Sequence, residues 1–185
     1  MKPALIIGLL FLAFPADAFD EIDVEVGSDD GSNEQNLAYK LNAFELTQDS
    51  WLTEISPYIE SESDDEIEYL VYENTVGNTW SAVYRSGLVE CPDGEGFAPS
   101  GPLEIALEAG GVYAIGFYID ERDVRYFYQT GMGLPDEVEG VGEHLGAVWV
   151  TDQGASTMPD VIEDDHLTVV DCLCGFFAHL EMLAQ

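Results

Sequence analysis

Short runs in which apolar and polar residues alternate dominate this chain. Successive side chains of a strand point to opposite faces, so such runs predict strands with one buried and one solvated face. Clusters of Gly, Asp, Asn, Ser and Pro separate the runs and indicate turns. The predicted strands are Glu21–Val26, Ala38–Leu46, Leu52–Ile59, Glu66–Tyr72, Trp80–Arg85, Leu103–Leu107, Val112–Ile119, Val124–Gln129, Leu145–Thr151 and Leu167–Leu173. Phe176–Leu183 is expected to form a short helix.

About ten strands without a long helical period predict an all-β protein, most simply an antiparallel two-sheet sandwich. The pattern resembles the jelly-roll and carbohydrate-binding-type sandwiches of exported bacterial proteins. That resemblance extends over most of the chain but implies only a fold, because one fold serves many functions.

The amino terminus has the pattern of an export signal. Lys2 precedes an apolar run, Ala4 to Phe14, that is too short to span a bilayer, and Ala16-Asp17-Ala18 supplies a small-residue cleavage site. We therefore expect a signal peptide at residues 1–18 and a single β-sandwich domain at residues 19–185, located in the periplasm or outside the cell. No later apolar run is long enough for membrane insertion.

The charge balance is strongly acidic. The chain has 37 Asp and Glu residues against 5 Lys and Arg residues, a formal net charge of −32. Binding to nucleic acid or to an anionic membrane depends on cations that contact phosphates, so the charge balance argues against both partners. Two explanations of the acidity stay open: a saline environment that screens the charges, or divalent cations bound among the carboxylates.

Two aromatic strands point to a binding surface. Val112–Ile119 and Val124–Gln129 flank a short polar connection and predict a hairpin. By alternation, the core face carries Tyr113, Ile115, Phe117, Ile119, Val124, Tyr126 and Tyr128. The outer face then presents Tyr118, Arg125, Phe127 and Gln129. Aromatic rings beside hydrogen-bonding groups suit the C–H face and the hydroxyls of a polysaccharide, so these four residues are the predicted ligand site.

The segment Asp20-Glu21-Ile22-Asp23-Val24-Glu25-Val26 places three acids on one strand face. Its Glu-Ile-Asp-Val-Glu portion resembles the catalytic signature of the lichenase and carrageenase family of retaining glycoside hydrolases. The resemblance implies a nucleophile at Glu21, a general acid/base at Glu25 and an electrostatic partner at Asp23. The match covers about eight residues and lies close to the predicted mature terminus, whereas the family carries it on a central strand.

An oxygen-rich turn is a candidate calcium site. Asp29, Asp30, Asn33 and Glu34 offer the hard oxygen ligands that Ca²⁺ prefers, although their spacing is not that of an EF-hand loop. A solvated turn explains the same residues.

The chain has three cysteines, and export favours a disulfide. Cys91 is expected to pair with Cys172 or Cys174, which leaves one thiol unpaired.

Together these patterns predict a secreted, non-catalytic β-sandwich module for ligand binding, with carbohydrate as the ligand class, or for assembly at the cell exterior. One alternative is a retaining glycoside hydrolase that uses Glu21 and Glu25. Another is a structural subunit of an extracellular assembly, with strand edges or the carboxy-terminal segment as contacts.

Overall fold

A computed structural model describes residues 20–34, 38–62, 65–76, 79–119, 124–150, 161–162, 167–169 and 174–184. These residues form seventeen strands and no helix, which confirms the predicted all-β fold. In this part of the chain, no helix is long and apolar enough to cross a membrane. The predicted signal peptide lies outside the described residues.

One antiparallel sheet contains eight strands. They are β1 (Asp20–Val26), β2 (Gly31–Glu34), β4 (Ser50–Ser61), β8 (Gly94–Phe97), β9 (Ile105–Leu107), β11 (Arg125–Thr130), β16 (Cys174–Phe176) and β17 (Ala178–Ala184). The main path runs β1-β17-β4-β11-β16, while β8 and β9 also pair with β4, and β2 pairs with β11.

The other antiparallel sheet contains nine strands. They are β3 (Ala38–Leu46), β5 (Glu66–Val76), β6 (Thr79–Arg85), β7 (Val89–Glu90), β10 (Val112–Ile119), β12 (Asp136–Val138), β13 (Gly142–Val150), β14 (Val161–Ile162) and β15 (Leu167–Val169). The main path runs β12-β13-β3-β10-β5-β6-β14. Two antiparallel sheets are consistent with the predicted β-sandwich.

The main core contains the inward residues of both sheets. The predicted core face of β10 is confirmed, because its alternate residues Tyr113, Ile115, Phe117 and Ile119 are all buried there. Val24 and Val26 of β1 belong to the same core. The alternation in the sequence therefore assigned the faces of these strands correctly.

A second apolar cluster lies on the opposite face of the nine-stranded sheet. It includes Tyr39, Leu70, Tyr72, Trp80 and Tyr118. The Tyr118 ring stacks on the Tyr39 ring with centroids 4.5 Å apart, and Tyr118 is 1% exposed. This sheet consequently has buried residues on both faces, so alternation alone could not show which of its aromatic residues reach solvent.

Two polar residues of β3 enter the core. Asn42 accepts a hydrogen bond from the Phe176 backbone N–H and donates one to the Phe176 carbonyl, each 2.9 Å long. These bonds connect β3 to β16 across the two sheets. Lys40 is 2% exposed, with its Nζ 4.2 Å from the centre of the Tyr126 ring, and burial lowers its pKa to about 8.

Two predictions of local structure were wrong. β10 and β11 do not form a hairpin, because β10 pairs with β3 and β5 whereas β11 pairs with β2, β4 and β16. The predicted helix at Phe176–Leu183 is instead largely strand β17, inserted between β1 and β4. Alternating burial of Ala178, Leu180, Met182 and Ala184 stabilises this strand despite the helix-favouring composition of the segment.

The number of strands was underestimated. The stretch from Gly87 to Pro102, for which no strand was predicted, contains β7 and β8, which have two and four residues. Strands this short carry too few alternating positions to be recognised from sequence.

Candidate functional site

The predicted ligand residues do not lie on one surface. Arg125, Phe127 and Gln129 point outward on β11, since Tyr126 belongs to the core and Tyr128 packs against it. Tyr118 lies in the other sheet and is buried, so its predicted exposure was wrong. Phe127 lies on the outer face as predicted, but neighbouring side chains bury it to 8% exposure.

Other aromatic side chains surround Phe127. Tyr58 lies at the centre, with its ring centroid 5.1 Å from Phe97, 5.0 Å from Phe127 and 5.0 Å from Phe177. Phe97 and Phe177 are also in contact, at 5.4 Å. We call these four residues the aromatic patch. It lies on the outer face of the eight-stranded sheet, and Phe97 is its most accessible member at 40% exposure.

The sheet backbone fixes the positions of these rings. Tyr58 of β4 is the cross-strand partner of Phe97 on β8. Phe177, between β16 and β17, donates its N–H to the Phe127 carbonyl and accepts the Tyr58 N–H, each at 2.9 Å. The patch is thus assembled from residues distant in sequence, and its geometry is held by main-chain hydrogen bonds rather than by a flexible loop.

Polar groups border the patch on two sides. The Tyr58 hydroxyl donates a 3.0 Å hydrogen bond to the exposed Glu95 carboxylate. That bond, with smaller contributions from desolvation and from the charges of Glu95 and Asp29, raises the pKa of Tyr58. On the other side, the His179 ring lies 6.2 Å from Phe97, and its Nε2 is 3.4 Å from Asp23 Oδ1.

The acidic strand lies on the same sheet face. Glu21, Asp23 and Glu25 are exposed on β1, while Val24 and Val26 are buried, as the alternation predicted. The structure thus places the two sequence-predicted sites, the acidic strand and the surface around Phe127, on one face, with His179 between them.

Pairing across β1, β17 and β4 creates a row of carboxylates. Asp23 is the cross-strand partner of Glu181, which is in turn the partner of Glu54. Desolvation and then the Glu181 charge raise the pKa of Glu54, and His179 opposes this shift. Like charges directly opposite are destabilising. Sequence reasoning missed Glu54 and Glu181 because only long-range strand pairing brings them to Asp23.

A second apolar surface lies beyond this row. Leu183 of β17 is the partner of the 42% exposed Trp51 on β4. Trp51 and Leu183, with Thr53, Leu103 and Glu104, line a depression of about 390 Å³. The outer face therefore has apolar surface at both ends and carboxylates between them.

Arg125 contributes little free charge to this face. Its guanidinium pairs with the Glu60 carboxylate, and both side chains are partly exposed. Solvent screening makes such a pair weak. The pair nevertheless neutralises the positive charge of Arg125 with the negative charge of Glu60. Gln129, the fourth predicted ligand residue, lies further along β11, in register with Gly175.

Glu21 and Glu25, the predicted hydrolase pair, lie at different places along β1. Glu21 and Asp23 line a depression of about 510 Å³ together with Glu139 and Gln48, whereas Glu25 is in register with His179 outside it. Glu21 and Glu25 are both exposed. In retaining glycosidases, by contrast, the two carboxyl groups flank one glycosidic bond about 5 Å apart.

The candidate calcium residues are divided between two elements. Asp29 and Asp30 are exposed in the turn after β1, whereas Asn33 and Glu34 belong to β2, in register with Tyr126 and Arg125. In the described part of the chain, no group of three or more His, Cys, Asp or Glu residues is arranged to hold a metal ion.

Cys91 is a free thiol buried in the core. The predicted bridge to Cys172 or Cys174 is therefore not supported; Cys172 lies outside the described residues. Burial is the main cause that raises the pKa of the Cys91 thiol to about 11, which disfavours the reactive thiolate form.

Comparison with known proteins does not extend this description. The chain matches no protein-family model, and a search of curated proteins finds none with significant sequence similarity.

Proposed function

We propose that this chain is a secreted, non-catalytic β-sandwich protein that binds a carbohydrate ligand at the cell exterior through the aromatic patch. The observation that carries the proposal is the contact of Tyr58, Phe97, Phe127 and Phe177 on an outer sheet face. Apolar clusters that stay accessible on a soluble protein mark interaction surfaces more often than scattered apolar residues do.

The chemistry around the patch fits a sugar. Accessible ring surface can contact the C–H face of a pyranose, while Glu95 and His179 are placed at the border to bind hydroxyl groups. Tyr and Phe provide this contact area at a low cost in conformational entropy. Main-chain bonds through Phe177 hold the rings in place, so little reorganisation is required on binding.

The test is a polysaccharide pull-down or glycan array with the Phe97→Ala and Tyr58→Ala variants. We expect each variant to weaken binding by about tenfold or more, because removal of a central aromatic contact has effects of that size. Val83→Ala is the matched control, since Val83 is also 42% exposed but belongs to β6 of the other sheet. Unchanged binding in both patch variants, or an equal loss in the control, would exclude the patch.

The hydrolase alternative is tested with the same polysaccharides. We expect no release of reducing ends by the wild-type protein. Hydrolysis that disappears in Glu21→Gln would instead establish the enzyme.

Self-assembly through the β1 edge is disfavoured by charge. Within the described residues, β1 pairs only with β17, and its outward positions are all acidic. Charged side chains on an edge strand oppose pairing with a second copy. Size-exclusion chromatography is expected to show a monomer, and a stable oligomer would favour the structural-subunit alternative.

A further inference from the structure

The side chains on the outer face of the eight-stranded sheet indicate the charge of the proposed ligand. Along β17, the outward residues are His179, Glu181 and Leu183. His179 adjoins the aromatic patch, Glu181 lies in the carboxylate row, and Leu183 adjoins Trp51. Two apolar surfaces are thus separated by carboxylates over about 13 Å of strand, from the usual rise per residue.

We propose that the ligand is a cationic amino-sugar polymer, with free amines that contact the carboxylates while its ring faces contact the aromatic residues. This inference rests on the proposed function and specifies its ligand class.

Charge complementarity is the first reason. Asp23 and Glu25 on β1, and Glu95 beside Tyr58, place carboxylates on two sides of the aromatic patch. Arg125, the cation on the adjoining part of β11, is paired with Glu60. An anionic polysaccharide would meet repulsion from these groups and from a chain of net charge −32. Protonated amines would relieve the repulsion among Asp23, Glu181 and Glu54, and would also be attracted to the aromatic faces.

The location on a sheet face is the second reason, because it favours a sugar polymer over a basic peptide. Extended peptides commonly bind by adding a strand to a sheet edge, where main-chain groups are unpaired. Here β17 and β4, which form the middle of the surface, are both interior strands, so a ligand lying on the face meets side chains there. The β1 edge that borders the surface is acidic, which disfavours strand addition. Along β17, the aromatic patch is followed by the carboxylate row and then by Trp51. A linear polymer in which ring faces and amines repeat regularly can contact all three in this order.

The experiment compares three oligomers of equal length by isothermal titration calorimetry at mildly acidic pH. They are glucosamine with free amines, its fully N-acetylated neutral form, and galacturonate. We expect the amine form to bind about tenfold more tightly than the neutral form, as two to three partly exposed charge contacts would give, and galacturonate not to bind. High salt should remove most of that difference.

Matched double variants identify which carboxylates cause the tighter binding of the amine form. Asp23→Asn with Glu181→Gln removes two acids from the row, and should reduce binding of the amine form to the level of the neutral form. Glu137→Gln with Glu143→Gln removes another cross-strand acidic pair, from β12 and β13 of the other sheet, and should change nothing.

The outcomes separate the two proposals. Equal binding of the amine and neutral forms, or equal losses of binding in the two double variants, would overturn the proposal of a cationic ligand. A loss of binding in Phe97→Ala would in that case still support the aromatic patch as the binding surface. Binding of polylysine but of no oligosaccharide would overturn the amino-sugar class. If no oligosaccharide binds, or if Phe97→Ala leaves all binding intact, the proposed function fails as well.

Discussion

At the scale of single residues, the least expected feature is a buried histidine. His144 of β13 is 1% exposed, and neither of its ring nitrogens makes a hydrogen bond of normal geometry with the described residues. Its ring lies 5.2 Å from that of Phe44. Burial lowers the pKa of His144 to about 4, opposed in part by the Asp136 carboxylate and by the Gly146 backbone, so the fold favours the neutral ring.

Because the pKa of His144 is lowered in the fold, we expect the protein to lose stability in acid. Between pH 6.5 and about 4, the histidine is protonated in the unfolded chain but neutral in the fold, so the unfolded state binds more protons. The free energy of unfolding should therefore fall by roughly 2–3 kcal/mol because of His144 as the pH is lowered through this range. Urea denaturation of the wild type and of His144→Leu measures this contribution as the difference between their pH profiles. Parallel profiles would contradict the prediction.

At the scale of elements, β10 is the central strand of the nine-stranded sheet. Its pairing with β3 requires a residue without a side chain at position 116. A Cβ atom on Gly116 would lie 2.0 Å from the Lys40 carbonyl oxygen of β3, a backbone atom that cannot move without disturbing the pairing. The glycine thus permits the close approach of two strands.

Gly116→Ala should consequently be strongly destabilising, by about 3 kcal/mol or more, because strain in a packed sheet produces the largest single-residue effects. Gly133→Ala is the control, since a Cβ there meets no atom within 4 Å. It should change stability by no more than about 0.5 kcal/mol. Thermal unfolding followed by circular dichroism compares the two, and similar melting temperatures would show that β3 and β10 are not paired as described.

The elements also show how far the sequence predicts this structure. Alternation identified the core faces of β1, β10 and β11, because it depends only on neighbouring positions. It could not identify partners: β10 and β11 are adjacent in sequence but belong to different sheets. The same limit applies to the site. Phe127 was found, whereas Tyr58, Phe97 and Phe177 reach it only through long-range pairing, and the second buried face that covers Tyr118 has no local signal.

At the scale of the whole molecule, net charge dominates. A charge of −32 on 185 residues opposes the compact state through self-repulsion. Added salt screens this repulsion, with a Debye length of about 30 Å at 0.01 M and about 10 Å at 0.1 M.

We therefore expect the melting temperature to rise with NaCl over this range. Because the candidate calcium residues are divided between the turn after β1 and strand β2, CaCl₂ at matched ionic strength should stabilise the protein no more than MgCl₂ does. Differential scanning fluorimetry measures both effects. A melting temperature independent of NaCl would contradict the role of repulsion, and a specific increase with calcium would show a site for that ion.

NMR maps directly which sheet face binds the proposed ligand. Amide shifts of the ¹⁵N-labelled protein would be followed during titration with the amine-bearing glucosamine oligomer. We expect the largest changes at Tyr58, Phe97, Phe127, Phe177 and His179, extending toward Glu181. Changes concentrated on β6, β12 or β13 of the nine-stranded sheet, with these residues unaffected, would contradict this expectation.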